Sequence, residues 1–308
     1  EVDNLLQILM RQTYPDFEVV IVEDGSAIPC KDVVDKYVTS MNIRYYSKSN
    51  SGPGQSRNYG AERSHGEYLI ILDSDCILPP DYFKAIENEL MNDPADAFGG
   101  PDRAHDSFTD TQKAINYSMT SFFTTGGIRG GKKKMDKFYP RSFNMGIRAE
   151  VYKALGGFSD MRFGEDIDFS IRIFKGGYSC RLFPEAWVWH KRRTDMRKFF
   201  KQVHNSGIAR INLYKKYPES LKLVHLLPAV FTVGVAILLL IILAGIYFLA
   251  FTSFTPDAAS YNLLHPLGIW LCVAGLLPLL LFSVLIFIDS SARNKSLKIG
   301  AVSIISSF

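Results

Sequence analysis

A chain of 308 residues, 47% of them hydrophobic, is long enough for one full α/β domain with further elements beside it. A formal charge of +4 is too small to mark a nucleic-acid-binding protein, and the basic residues that cluster stand beside apolar stretches, where a lipid surface is the better partner. Cys30, Cys76, Cys180 and Cys272 are far apart with no CxxC pair, which argues against a zinc site or a disulfide scaffold and for a reducing compartment.

In chain order, a helical pattern from Asn4 to Arg11 leads to an apolar run, Phe17 to Val22, and a turn at Asp24-Gly25-Ser26. A helix near Lys31 to Ser40 and a short strand, Ile43 to Tyr46, come next. A Gly/Pro/Ser loop then opens a helix through Arg57 to Ser64, and the strand Tyr68 to Leu72 ends in Asp73-Ser74-Asp75. Apolar strands separated by helices at this rhythm predict an α/β, Rossmann-like domain, with a mostly parallel central sheet and flanking helices. In such sheets ligands bind beyond the carboxyl ends of the strands. Val19 to Val22 delivers Glu23 and Asp24 there, Tyr68 to Leu72 delivers Asp73 and Asp75, and one shared site is expected.

After Asp81 the spacing predicts a helix to Met91, a strand around Ala97 to Gly100, a helix near Phe108 to Thr124 and a strand from Ser142 to Arg148. Gly164-Glu165-Asp166-Ile167-Asp168 opens a helix toward Lys175, with acids in its first turn where the helix dipole favours negative charge. Two short strands, Ser179 to Phe183 and Ala186 to Trp189, close the domain at about residue 190. The loop GGIRGGKKK nearly spells a P-loop, but Lys133 stands where the metal-binding hydroxyl belongs, so it reads either as a basic lid over phosphates or as a solvated loop. GPGQSR fails as a dinucleotide fingerprint because Arg57 replaces the third glycine. Asn116-Tyr117-Ser118 is a glycosylation sequon that a cytoplasmic location leaves inert.

Residues 191–222 read as a basic amphipathic juxtamembrane segment, either interfacial or simply solvated, with Phe199, Phe200, Val203 and Ile208 available to lipid. Residues 223–250 and 263–288 are each apolar for longer than the roughly 20 residues a bilayer crossing needs. The loop at 251–262 has no Lys or Arg, whereas Lys215, Lys216 and Lys222 precede the first span and Arg293, Lys295 and Lys298 follow the second. The positive-inside rule therefore predicts a multi-pass protein of the inner (cytoplasmic) membrane, with its N-terminal domain in the cytoplasm. Residues 298–308 look like the start of a further apolar helix, and both ends read as those of a fragment.

Asp73 and Asp75, two apart after five apolar residues, can present oxygens to a hard divalent cation that also holds phosphate oxygens. His190, after Trp187-Val188-Trp189, either completes that shell or ends its strand structurally. The acids at Glu165, Asp166 and Asp168 cannot all face one substrate from a helix start; one is a candidate general base, and capping the helix is the alternative role.

The ordered segments QTYPDFEVVIVEDGS, SGPGQSRNYGAERSHGEYLIILDSDC, FNMGIRAEVYKALGGF and FGEDIDFSIRIFKGGY resemble the family 2 glycosyltransferases of GT-A fold. The resemblance covers roughly residues 4 to 190. It implies an inverting transfer of a sugar from a nucleotide diphosphate donor, commonly a UDP-sugar, to a saccharide or lipid-linked saccharide acceptor, with Mg²⁺ or Mn²⁺. It assigns Asp24 to the nucleoside, Arg57 and Asn58 to holding the nucleotide, Asp73 to ribose or metal, and Asp75 to metal and diphosphate; Asn144 either touches donor or acceptor or makes a hydrogen bond at its strand end. It places the base in the GED segment, at Asp166 with Glu165 as the competitor. The family's first strand precedes Asn4 and is absent, and no QxxRW motif follows Gln202, which argues against a processive polymerase. A haloacid-dehalogenase-like phosphatase, with DSDCI as its opening, and a non-catalytic membrane-anchored nucleotide-sugar-binding subunit are the rival readings.

Overall fold

The computed structural model describes residues 1–103, 107–125, 138–254 and 257–308. The GGIRGGKKK loop lies outside them. The elements in order are α1 (Val2–Leu9), β1 (Val19–Asp24), α2 (Lys31–Val34), β2 (Ile43–Lys48), α3 (Pro53–Ala61), β3 (Tyr68–Leu72), β4 (Cys76–Ile77), α4 (Tyr82–Asn92), β5 (Ala97–Gly99) and β6 (Asp102–Arg103). They continue as α5 (Asp110–Thr120), α6 (Phe122–Thr125), β7 (Asn144–Arg148), α7 (Ala149–Ala154), α8 (Glu165–Lys175), β8 (Cys180–Leu182), β9 (Val188–His190) and α9 (Met196–Lys216). Three apolar helices follow, α10 (Leu227–Phe254), α11 (Ala258–Asn294) and α12 (Leu297–Ser307).

The chain divides into two compact units, the first drawn from Glu1–Phe108, Lys133–Arg192 and Phe200–Lys215. In it, β1 pairs with β2, β3-β7-β5-β8 form a four-stranded sheet, and β4-β9-β6 form a small third sheet. The sheets are mixed rather than mostly parallel: β1·β2, β5·β8 and β6·β9 run parallel, while β7 runs antiparallel to both β3 and β5, and β4 to β9. The expectation of parallel pairing rested on the βαβ rhythm of the first 72 residues. The later strands are short and β7 enters from a long excursion, so local pattern carried no information about its direction.

Side-chain alternation covers the four-stranded sheet on both faces. Tyr68, Ile70 and Leu72 of β3 pack with Phe98, Tyr82 and Phe183 in one core, and Leu69 and Ile71 join Met145, Ile147, Val151 and Phe169 in the other. The helix expected from Lys31 to Ser40 is regular only through Val34 and continues as turns. Residues 200–215, read in the sequence as part of a juxtamembrane segment, cluster with this unit, because Ala209 and Leu213 of α9 are buried against it.

The second unit is drawn from Thr109–Lys132, Arg193–Phe199 and Lys216–Phe308. α10 and α11 are long and apolar enough to cross a membrane and extend into the segment expected to be a loop. They approach closely through glycines: a Cβ on Gly275 would lie 2.4 Å from Ile242 Cγ1 and 2.8 Å from the Leu238 carbonyl, the small-residue packing that membrane helices use. α5 starts with a capping box, in which Thr109 Oγ1 accepts from Gln112 N at 3.3 Å and Gln112 Oε1 accepts from Thr109 N at 3.1 Å. It belongs with the apolar helices: Tyr117 donates to Asp289 at 2.8 Å, and Lys298 pairs with Asp110 at 2.8 Å.

Candidate active site

β3 ends at Leu72, and the chain turns through Asp73-Ser74-Asp75 into β4. Asp73 Oδ1 receives Arg57 Nη2 at 3.2 Å, and Arg57 Nη1 donates to Glu165 Oε1 at 2.8 Å. One guanidinium from α3 thus ties the DSD turn to the GED helix start, although Asp73 and Glu165 are 92 positions apart (165 − 73). The planar fork of arginine suits such a bridge, since it can serve two carboxylates at once.

Asp75 faces His190, with Oδ1 3.5 Å from Nε2. The antiparallel pairing of β4 with β9 sets this contact by placing Cys76 opposite His190. The imidazole is fixed by stacking on Phe143, ring centroids 4.4 Å apart, and its buried Nδ1 has no hydrogen-bond partner among the described residues. Cys76 offers its sulfur within 4.8 Å of the other two ligand atoms, yet the thiol is buried and directed at the Phe143 carbonyl at 3.5 Å.

At the start of α8, Gly164 takes φ +83°, a left-handed conformation open to glycine at little cost. Glu165 and Asp166 follow, with side chains only 10% and 9% exposed. Burial, then the charge of Asp166, push the Glu165 carboxyl above its ordinary value despite Arg57. Asp166 Oδ2 lies 2.8 Å from Arg141 Nε, and its Oδ1 accepts from the Ile167 amide at 2.8 Å. Asp168 is fully buried and turned the other way. It takes Arg172 Nε at 2.9 Å, and Arg172 pins the carbonyls of Leu155 and Gly157 at 2.6 and 2.7 Å.

Asp24, at the end of β1, is spoken for by the loop before α3. Its two carboxylate oxygens accept from the Ser51 and Gly52 amides at 2.9 Å each, and Lys48 adds an ion pair. Burial alone would raise its pKa, but these hydrogen bonds outweigh it and hold the carboxyl below its ordinary value. Its neighbour Glu23 turns inward to the Cys30 amide at 2.9 Å. Asp24 therefore shapes the loop that launches Arg57; no ion pair or hydrogen bond joins it directly to the Arg57 cluster among the described residues.

Two of the candidate substrate-binding residues are engaged inside the fold. Asn58 Oδ1 accepts from Tyr152 Oη at 2.6 Å and Phe158 N at 2.8 Å, while Nδ2 donates to the Phe158 carbonyl at 2.9 Å, which clamps the turn after α7. Asn144 is 1% exposed, accepting from Tyr82 Oη at 2.5 Å and donating to the Ala186 carbonyl at 2.8 Å. Asn144 thus has the strand-end hydrogen-bonding role, and Asn58, partly buried, is engaged in a similar way: an amide satisfied inside the fold contributes to packing, and withdrawing it would leave its partners unpaired.

Sequence reasoning missed Asp102 and Arg192. Asp102 on β6 is 2.5 Å from Arg192 Nη2, beside His190 through the β6·β9 pairing. Burial raises the Asp102 pKa, but the guanidinium, then its hydrogen bond and His190, bring it below the ordinary value. Arg192 had been read only as one cation of a basic run. The pairing that sets it apart is long-range, and nothing local announces it.

A mixed α/β domain with carboxylates at a strand end and a helix start, joined through one arginine, is the frame of a GT-A fold. Residues 1–156 match the family model described as Glycosyl transferase family 2, and the chain belongs to that family. Along its length it is similar to a protein of Bacillus subtilis (strain 168) named "Probable glycosyltransferase YdaM", 26% identical over 214 residues, 64% of this chain and 50% of that one. It is similar over a shorter stretch to the poly(ribitol-phosphate) beta-N-acetylglucosaminyltransferase TarS of Staphylococcus aureus, 33% identical over 98 residues, 30% of this chain and 16% of that one. Among solved structures, the mannosyltransferase PcManGT of Pyrobaculum calidifontis in complex with GDP-Man and Mn²⁺ has the same fold at a TM-score of 0.53 and 15% identity, covering 99% of this chain and 81% of that one. The chain spans half or less of the length of the two sequence relatives. Family membership removes the phosphatase reading of DSDCI.

Proposed function

We propose that the protein transfers a sugar from a nucleotide diphosphate donor, a UDP-sugar, to an acceptor hydroxyl with inversion at the anomeric carbon. The observation that carries this reading is the Asp73–Arg57–Glu165 bridge, which holds a phosphate-and-metal motif beside a pair of buried acids. In the reaction, the acceptor oxygen bonds to the anomeric carbon as the bond from that carbon to the diphosphate oxygen breaks. The nucleoside diphosphate leaves with the electron pair, and the hydroxyl proton passes to a carboxylate. Asp166 is assigned that proton. Glu165, bound to Arg57, positions the guanidinium between the two halves of the site. A positioned base of this kind contributes roughly 10²- to 10⁴-fold in rate.

The donor set suits a divalent cation. Asp75 and His190 present oxygen and nitrogen 3.5 Å apart, close enough to share one ion, and Asp73 is adjacent in the same turn. Carboxylate and imidazole match Mg²⁺ or Mn²⁺ better than a thiolate site would, since the Cys76 sulfur is turned to a carbonyl. Such an ion would neutralise the charge of the departing diphosphate. The relative complexed with GDP-Man and Mn²⁺ supports divalent-metal use in this fold.

α10 and α11 would hold the protein in the cytoplasmic membrane with the catalytic unit on the cytoplasmic side, in keeping with the flanking Lys and Arg residues. That location favours a saccharide or lipid-linked saccharide acceptor. A panel of nucleotide sugars, with release of nucleoside diphosphate measured with and without Mn²⁺ and acceptor, tests the reading. Release dependent on both supports it; donor binding without turnover under every condition would favour the non-catalytic subunit.

A further inference from the structure

Arg57 is neutralised by Asp73 and Glu165, but on the other side of the acid pair the charge is left uneven. Arg141 brings only its Nε to Asp166, at 2.8 Å, and both of its terminal nitrogens are without a hydrogen-bond partner among the described residues. Arg210, on α9, is carried to the same place by packing: the Gly164 backbone lies against Ala209, so that a Cβ built on Gly164 would sit 3.0 Å from Ala209 Cβ and 3.4 Å from Leu213 Cδ1. Arg210 is half-buried, makes no ion pair or hydrogen bond among the described residues, and feels the charges of both Arg141 and Asp166. Burial, then repulsion by Arg141, weaken its hold on its proton, while Asp166 opposes them.

Arg141 thus pairs with Asp166, and α9 brings Arg210 near enough for its charge to act on both. Half-burying Arg210 near Arg141, whose side chain is 44% exposed, is opposed by both desolvation and repulsion. An oxyanion with several acceptor oxygens removes that penalty, and planar guanidinium forks are the groups that bind phosphate bidentately.

We propose that Arg141 and Arg210 form a binding site for a phosphate group carried by the acceptor. The inference rests on the assignment of Asp166 as the base, since that assignment puts the acceptor hydroxyl, and hence the rest of the acceptor, beside these two arginines. The donor diphosphate would instead be held through a cation at Asp75 and His190, on the DSD side of Arg57. A phosphate at Arg141 and Arg210 would orient the acceptor and compensate the excess charge next to Asp166. The same chemistry is offered by the phosphate headgroup of a lipid and by the phosphodiester of a soluble polyol chain.

The test uses the full chain in a neutral detergent and measures binding calorimetrically. Dodecyl phosphate and glycerol 3-phosphate are the probes for the two sources, with dodecanol and glycerol as uncharged controls. UDP with Mn²⁺ reports on the donor side. Expected is saturable binding of one or both phosphates and of neither alcohol, weakened roughly 10- to 100-fold by Arg210→Met and by Arg141→Met, less by Arg210→Lys, with UDP affinity unchanged in all three. Because Arg141 and Arg210 lie on different elements, agreement between their variants separates loss of a ligand contact from misfolding of α9, and the melting temperature of each variant is recorded alongside. Preference for dodecyl phosphate identifies a lipid source, and preference for glycerol 3-phosphate a polyol source. Phosphate binding that is absent, that ignores both Met substitutions, or that UDP competes away overturns the proposal. Failure of UDP itself to bind the unmodified protein counts instead against the glycosyltransferase reading.

Discussion

The DSD turn and the GED helix start both present acidic pairs, yet they are built differently. Asp73 and Asp75 are 39% and 23% exposed in an open turn between two strands, whereas Glu165 and Asp166 are almost closed off at the first turn of α8. A carboxylate that must exchange water for a metal and a diphosphate benefits from access to solvent. Glu165 and Asp166 are kept from water, and burial, then the charge of Asp166, push the Glu165 carboxyl above its ordinary value. Arg57 touches one member of each pair, so the two environments are held in register by a single side chain.

The largest expected effect separates the two pairs. Asp75→Ala should abolish metal-dependent donor binding while leaving the weaker metal-independent binding in place, as read by nucleotide titration with and without Mn²⁺. Asp166→Asn should leave donor binding intact and lower transfer by at least roughly 10²-fold in single-turnover measurements. Full activity in that variant would move the base to Glu165. If both variants lost donor binding equally, the division between an open metal-binding pair and a closed proton-transfer pair would be wrong.

A third prediction concerns the support behind the open turn. Asp102→Asn removes the Asp102 charge from the buried Arg192 and should lower stability by about 3 kcal/mol at neutral pH, measured by denaturant unfolding of the membrane-solubilised protein. The Asp102 pKa is lower in the folded state than in the unfolded one, so its contribution is complete above the unfolded value, near about 4, and is lost as pH falls through the folded value. The acid limb of the stability curve should therefore be shallower in Asp102→Asn than in the unmodified protein.

The smallest effect on catalysis is expected at Asn58. Asn58→Ala removes three hydrogen bonds, two with the Phe158 backbone and one with the Tyr152 hydroxyl, and should lower stability by roughly 1–3 kcal/mol while changing donor affinity only slightly. A large loss of donor affinity with unchanged stability would restore the nucleotide-holding role that the family resemblance assigns to it.

Much of the site was legible in the linear chain because its acids sit at element boundaries, where pattern is strongest. A strand of five apolar residues running into Asp73-Ser74-Asp75, and a glycine followed by acids at a helix start, locate functional groups without any long-range information. For Asn144 the sequence leaves open contact with substrate or a strand-end hydrogen bond, and only the packing of Tyr82 and Ala186 around it shows that it is enclosed. Strand direction was equally hidden, since β7 pairs with β3 from far along the chain, Gly146 opposite Ile70 across 76 positions (146 − 70), and its own residues are compatible with either orientation.

By itself, the sequence determined the acid-bearing boundaries, the two apolar helices and the family frame, because each depends on residues within a turn or two of one another. Tertiary structure decided that Arg57 joins the acid pairs, that His190 meets Asp75, that Asp102 secures Arg192, and that Arg141 pairs with Asp166 while α9, which bears Arg210, packs against Gly164. Those contacts depend on sheet register and on the seating of α9 against Gly164, and a charged side chain's partner is set by where the backbone brings it, over distances that local periodicity does not encode.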